Sequence, residues 1–309
     1  MNDSPLVSII VITYNSSKFV LETLESVKAQ TFQNIELVVS DDSSSDETVE
    51  ICKKWVNKNK ERFVSTECLT SSKNTGISSN ANRGIKVSKG EWIKLIAGDD
   101  TLLPTCIDDN INFVQNNKHI EVCHSKLRMY NDNFSDSNFI CETNWLPEVM
   151  TSELSTAKEQ FNLLIFKCNV SAPTVFIKKG LITKFGGFDE SIPQCEDWPM
   201  WINFTRKGYK IYFLDKATVN YRISSNSVFN SSGVGKLFNS FFKIERIVYK
   251  KHIKPYTSFS NRFFISYSYF IKLFLELSHL NKPNFFCEKL YFNLMRPYQK
   301  YINSILHLY

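Results

Sequence analysis

The chain has 309 residues, 43% hydrophobic and 22% charged, with a formal net charge of +6. That length and balance suit one or two folded domains and exclude a disordered chain. The charge is uneven: residues 230–309 hold 12 Lys/Arg against 3 Asp/Glu, whereas residues 1–229 hold 25 against 28.

The first hundred residues alternate strand and helix patterns. Residues 6–14 are a continuous β-branched run that predicts a buried strand. Asn15, Ser16 and Ser17 offer an N-cap, and Val20, Leu24 and Val27 recur at helical spacing through about Gln30. Ile35 to Ser40 predicts a second buried strand, ending at Asp41-Asp42. Ser44-x-x-Glu47 has the spacing of a capping box and opens a helix with Val49, Cys52 and Val56 on one face. A weaker strand is expected near 62–66 and a helix over 77–87. Glu91 to Ala97 reads as a strand closed by Gly98-Asp99-Asp100. This β-α-β-α-β-α-β order predicts an α/β fold with a parallel sheet. Polar residues follow strands one, two and four, at the carboxyl ends where open α/β sheets bind ligands.

Beyond residue 100, a helix is expected over 105–116, a strand over 120–130 and a polar loop over 131–150. Helical spacing returns over 153–167, and 173–177 is a short strand. Gly186-Gly187-Phe188 is a turn, and Glu196-Asp197-Trp198 precedes a helix. Residues 209–223 are strand-rich, 224–235 read as a loop and 236–309 as helices.

Cysteine and histidine usage narrows the chemistry. None of the eight cysteines forms a C-x-x-C pair, so a disulfide framework is not expected and a reducing cytoplasm is. His119, His124, His252, His279 and His307 show no ligand spacing. The N-terminus lacks the charged region of a signal peptide. No window reaches about 18 uncharged apolar residues, so no membrane-spanning helix is expected. Neither a Rossmann G-x-G-x-x-G nor a P-loop occurs.

The acidic pairs each have two readings. Asp99-Asp100 can hold Mg²⁺ or Mn²⁺, or form a solvated turn in which Asp100 caps the next helix. Asp41-Asp42 can accept from a base or ribose, or cap a helix. Glu196-Asp197 can supply a general base, or again an N-cap. Arg83 can grip a phosphate, or sit on a helix surface.

Taken in order, Val7-Ser-Ile-Ile-Val-Ile-Thr-Tyr-Asn15, Gln30-Thr-Phe32, Glu36-Leu-Val-Val-Ser-Asp-Asp-Ser-Ser-Ser-Asp46, Asn82-Arg-Gly84, Lys89-Gly-Glu91, Asp99-Asp100, Gly186-Gly-Phe188 and Glu196-Asp197 closely resemble the family 2 glycosyltransferases. These are inverting enzymes of the GT-A fold, common in bacterial polysaccharide synthesis. The match covers about residues 5–225. It implies a Rossmann-like nucleotide-diphospho-sugar transferase domain with a mostly parallel sheet over 1–229, followed by a helical region over 230–309. It also implies roles. Thr13, Tyr14, Asn15, Asp42, Arg83, Asp99 and Arg222 would bind the nucleotide sugar, with Tyr14 walling the base, Asp42 accepting from uracil and Asp99 at the ribose. Asp100 would hold Mn²⁺ or Mg²⁺. Asp197, with Glu196, would be the catalytic base, and Trp198 would lie near the acceptor. Two departures stand out: Ala97 occupies a position that is acidic in many relatives, and Ser224 stands where many carry a histidine.

The expected function is transfer of a sugar from a nucleotide donor, a UDP-sugar, to a growing, lipid-linked surface glycan such as a capsule or O-antigen. The alternative is an inactive relative that scaffolds a synthesis complex. A nucleotidyltransferase is a further rival, but Tyr14-Asn15-Ser16-Ser17 is not the Gly-rich loop it requires. In the C-terminal region, Leu237, Phe241, Ile244 and Val248 share one helical face and Lys236, Lys243, Lys250 and Lys254 another. Phe263, Tyr267, Phe270, Phe274 and Leu277 form a further stripe. Such faces fit an anionic membrane surface, a second subunit, or packing on the catalytic domain with the lysines solvated. The expected location is cytoplasmic, or peripheral on the inner face of the membrane. Nucleic acid is not an expected partner.

Overall fold

The structure, a computed structural model, describes residues 4–192, 194–223, 236–239 and 241–306. It forms two compact units: Met1–Gln160 with Asn169–Arg222, and Phe161–Cys168 with Ile223–Tyr309. The expected loop at 224–235, with Ser224, lies outside the described residues.

The first unit opens with β1 (Val7–Thr13), α1 (Val20–Lys28), β2 (Ile35–Asp41), α2 (Thr48–Asn59), β3 (Ser65–Thr70), α3 (Ile77–Val87) and β4 (Trp92–Ala97). Every residue of β1 and β2 is buried, as their unbroken β-branched runs require of central strands. These strands pair in parallel, in the order β3-β2-β1-β4. Residues alternate between sheet faces. Ile9 and Val11 pack with α1 and α2, while Ile10 on the opposite face meets α3. A Cβ at Gly84 would lie 2.5 Å from Ile10 Cγ2, so only glycine lets α3 approach β1 this closely.

The register places the sheet's chemistry. Thr13 pairs with Asp41, and Ile12 with Ala97. The carboxyl ends of β1, β2 and β4 are therefore level, and their following residues share one rim.

The chain continues through β5 (Thr101–Leu102), α4 (Cys106–Asn116), β6 (Val122–Asn131), β7 (Phe139–Glu142), α5 (Glu148–Thr151), α6 (Ala157–Leu164), β8 (Phe176–Lys178), α7 (Lys179–Lys184), α8 (Asp197–Arg206) and β9 (Tyr212–Ile223). Here the pairings are antiparallel: β4 with β8, β8 with β6, β6 with β7, and β5 with β9. A parallel half thus continues into an antiparallel half.

Four local expectations differ. Asn15, Ser16 and Ser17 do not cap α1, whose N-cap is Phe19 with no side-chain bond. The third strand starts at Ser65, because Arg62 is spent elsewhere. Its guanidinium donates to the carbonyls of Lys28, Gln30, Phe32 and Gln33 at 2.7–3.3 Å, which latches the Gln30-Thr-Phe turn. The Ser44–Glu47 capping box does not form. Asp46 caps α2 instead, accepting from Thr48 N at 3.0 Å, while Ser44 turns to Asp41. The expected loop 131–150 contains β7 and α5, both of four residues.

The second unit holds α9 (Phe242–Val248), α10 (Phe259–Leu277) and α11 (Phe285–Leu306). Ser258 caps α10 by accepting from Asn261 N at 3.2 Å. One face of α10 is buried through Ile265, Ser268, Tyr269, Ile271 and Leu275. Tyr267 leaves the expected stripe: its hydroxyl donates to the Leu294 carbonyl at 2.7 Å, tying α10 to α11.

Candidate active site

The loops after β1 and β2 are laced together. Thr13 is buried and its hydroxyl donates to Asp41 Oδ2 at 2.8 Å. Asn15 takes a left-handed conformation (φ 50°), which asparagine tolerates better than most residues. Its N–H donates to Ser44 Oγ at 2.8 Å, and its side-chain oxygen accepts from Ser45 N at 2.9 Å. Tyr14, between them, is exposed and presents its ring at the rim. Thr13 and Asn15 are thus framework residues, with Tyr14 the outward member of the three.

Asp42 is the most heavily bonded carboxylate of this rim. It accepts from Thr75 N (2.8 Å), Gly76 N (2.7 Å), Thr75 Oγ1 (2.6 Å) and Arg83 Nη2 (3.0 Å). Four donors match the four lone-pair positions of a carboxylate. Burial alone would raise its pKa, but these bonds hold it below the usual value. Arg83 also donates to the Asp41 carbonyl (3.0 Å) and Asn80 Oδ1 (2.8 Å). Asp42 and Arg83 together pin the 71–76 segment against the end of β2.

At the end of β4, Asp100 is buried and Asp99 half-buried. Asp100 Oδ1 accepts from Arg222 N at 2.9 Å; it caps no helix. The Arg222 guanidinium donates to the Asp99 carbonyl at 2.8 Å, to the Asp132 carbonyl and to Glu22. It lies between two rings, 4.2 Å from the centroid of Phe19 and 4.1 Å from that of Phe134. Arg222 is buried, so it braces the acidic pair from behind and presents no free fork for a phosphate.

Asp197 opens α8 and accepts from Trp198 N at 2.7 Å. Glu196 is buried, and its carboxyl is pushed up to about 8, by burial first and then by the charge of Asp197. The Trp198 ring is buried in the unit. Helix α3 tethers the segment leading here. Asn82 donates to the Phe188 carbonyl and accepts from Phe188 N, both at 2.9 Å, and Ser78 Oγ donates to the Ile192 carbonyl at 2.9 Å. Gly187 sits at φ 82°, where an added Cβ would come within 2.7 Å of Asn82 Oδ1. Asn82, Arg83 and Gly84 therefore serve three different contacts: the 186–188 turn, Asp42 and β1.

Tyr221 joins the acidic groups. Its phenol pKa is driven up by burial, then by the charges of Asp100, Asp99 and Asp197.

Asp99 and Asp100 both have raised pKa values. Burial is the main cause, and Asp100 is pushed further by Asp99. Arg222 offsets only part of this repulsion. Two hard oxygen donors carrying surplus negative charge suit Mg²⁺ or Mn²⁺. Among the described residues no group of three or more His, Cys, Asp or Glu gathers to hold an ion.

Sequence reasoning missed Thr75, Gly76, Glu22, Phe19, Phe134 and Tyr221. Thr75-Gly76 before a helix was a visible turn signal. The others meet across up to 200 positions of sequence, and no spacing rule reports that.

Residues 8–167 match the family described as glycosyl transferase family 2. A UDP-Glc:alpha-D-GlcNAc-diphosphoundecaprenol beta-1,3-glucosyltransferase, WfaP, from Escherichia coli is 29% identical over 72% of this chain and 79% of its own. An uncharacterized glycosyltransferase of Rickettsia prowazekii is 32% identical over 74% of this chain and 67% of its own. Among solved structures, S. aureus TarS 1–349 in complex with UDP-GlcNAc superposes with a TM-score of 0.60 at 21% identity, covering 97% of this chain and 82% of that one. That likeness shows the GT-A fold. With more than half of its length matched, this chain belongs to glycosyltransferase family 2.

Proposed function

We propose that this protein is an inverting hexosyltransferase that moves a sugar from a UDP-sugar to a hydroxyl of a lipid-linked surface glycan at the inner face of the membrane. The observation that carries this is the register that brings the carboxyl ends of β1, β2 and β4 level, so that exposed Tyr14, Asp42 and the Asp99-Asp100 pair follow strands ending on one rim. The activity of WfaP, which uses UDP-Glc and a diphosphoundecaprenol acceptor, supports the donor and acceptor classes, and the UDP-GlcNAc bound to TarS supports the donor class.

The donor's uracil lies against Tyr14. Asp42 receives the uracil N–H by exchanging one of its present donors, the Thr75 hydroxyl being the freest to rotate. Asp99 holds the ribose. A bound Mg²⁺ or Mn²⁺, held by Asp100, would supply Lewis-acid neutralisation of the departing diphosphate. Asp197 takes the proton from the acceptor hydroxyl as its oxygen attacks the anomeric carbon from the face opposite the diphosphate. The C–O bond to the diphosphate breaks as the new one forms, so the configuration inverts without a protein nucleophile. Glu196, its carboxyl pushed up to about 8, keeps its proton near neutral pH beside Asp197.

The test is a panel of nucleotide sugars with Mn²⁺ or Mg²⁺ and lipid extract, read by release of nucleoside diphosphate. UDP release from one UDP-sugar, increased by the extract, is expected. No release from any donor would overturn the reading in favour of a non-catalytic scaffold.

A further inference from the structure

Among the described residues, the second unit leaves a row of large apolar side chains exposed. On α10, Phe259, Phe263, Phe270, Phe274 and Leu277 are all exposed. At 100° per residue their positions fall within about 60° of one another. The buried face of the same helix lies opposite. The stripe is therefore a second hydrophobic face, and packing within the unit does not use it. On α11 the exposed stripe Phe285, Lys289, Phe292, Arg296 and Lys300 repeats at the same spacing, mixing aromatic rings and cations. Because the two helices form a hairpin, Phe274, Leu277, Phe285 and Phe286 gather at its tip. Leu277 is 71% exposed and Phe285 80%. Exposed patches of this kind mark interaction surfaces.

We propose that the tip of the α10–α11 hairpin and the exposed face of α11 dock the protein on an anionic lipid bilayer. Charge selects this occupant. The region from 230 onward holds 12 Lys/Arg against 3 Asp/Glu, and two of those acids are already paired, Glu245 with Lys272 and Glu276 with Lys243. The rings enter the interface while the lysines and arginines reach the headgroups. A second copy fits less well, because a two-fold interface sets a patch against itself and would bring Lys289, Arg296 and Lys300 toward their own duplicates. No described helix is long and apolar enough to cross a membrane, so the hairpin lies on the surface.

The inference does not rest on sugar transfer, and its binding test uses no donor. The full chain is sedimented with vesicles of phosphatidylglycerol and phosphatidylcholine in equal parts, and with phosphatidylcholine alone. Pelleting with the mixed vesicles only, weakened by salt, is expected. The double variant Phe285→Ser/Phe286→Ser should lower vesicle affinity by about tenfold or more. Lys289→Glu/Arg296→Glu should remove the preference for phosphatidylglycerol. These side chains are exposed, so both variants should keep the wild-type melting curve. The proposal is overturned if the wild type pellets with neither vesicle, if both variants bind like wild type, or if light scattering finds a dimer that Phe285→Ser/Phe286→Ser dissociates while vesicles go unbound.

Discussion

The backbone N–H of Arg222 donates to Asp100 Oδ1 at 2.9 Å, while the same residue's guanidinium grips Glu22 from behind. One residue of β9 thus orients the carboxylate that follows β4 and ties it to α1. Arg222→Lys keeps the charge but loses the planar fork and its stacking between Phe19 and Phe134. Supporting groups behind a metal or phosphate site commonly contribute about 10–100-fold. We expect Arg222→Lys to lower kcat/KM by that amount and to raise the Mn²⁺ concentration needed for half-maximal UDP release. A metal titration identical to wild type would show that the brace is structural only.

Asp197→Asn removes the proposed proton acceptor and keeps the shape. General-base catalysis typically contributes about 10²–10⁴-fold, so kcat should fall within that range. The binding of UDP, measured by calorimetry, should not change, because the role proposed for Asp197 is toward the acceptor. Near-normal turnover would exclude Asp197 as the base.

Glu196 makes stability depend on pH. Its folded-state pKa, about 8, lies above the ordinary carboxyl value of 4.5, so the folded protein binds this proton more tightly than the unfolded chain. The resulting stabilisation is complete below about 4.5 and is lost as pH rises toward about 8. Groups with lowered values, such as Asp42 and Glu36, act in the opposite direction but are common to wild type and Glu196→Gln. The difference in Tm between the two proteins should therefore move in the variant's favour across that window. A flat difference would mean that Glu196 ionises normally.

Much of this architecture was legible because its strongest signals are local. The β-branched runs of β1 and β2 and the helical spacing of α1 and α3 are properties of a few adjacent residues. So is the position of each acidic pair at a strand end. What was not legible is how the side chains are spent. Asp42 is a free acceptor on paper, yet Thr75, Gly76 and Arg83 occupy it. Arg222 had the look of a ligand for the donor, yet it is consumed by Asp99, Asp132 and Glu22. The strand β5 has two residues, too few for any periodicity, and exists because β9 pairs with it. The Ser44–Glu47 box lost to a competing bond, since Asp41 offers Ser44 a charged acceptor.

The saturated Asp42 leads to a prediction that separates framework from recognition. Asp42→Asn replaces one acceptor oxygen with an NH₂ that faces donors on Thr75, Gly76 or Arg83. A buried donor left without an acceptor costs about 1–3 kcal/mol, so urea unfolding should show a loss of that size. Arg83→Gln breaks the same bond from the other side, at a site where Arg83 is partly exposed and Asp42 is not. Residues in one hydrogen-bond network do not add, so the double variant should lose less stability than the two single losses combined. UDP affinity should fall in Asp42→Asn and, less steeply, in Arg83→Gln. Thr75→Val removes only the hydroxyl proposed to exchange with uracil and frees one lone pair of Asp42. If Asp42 takes the base, Thr75→Val should bind UDP at least as tightly as wild type while being less stable. If affinity and stability instead fall together in all three variants, Asp42 serves the loop alone and the base is read elsewhere on the rim.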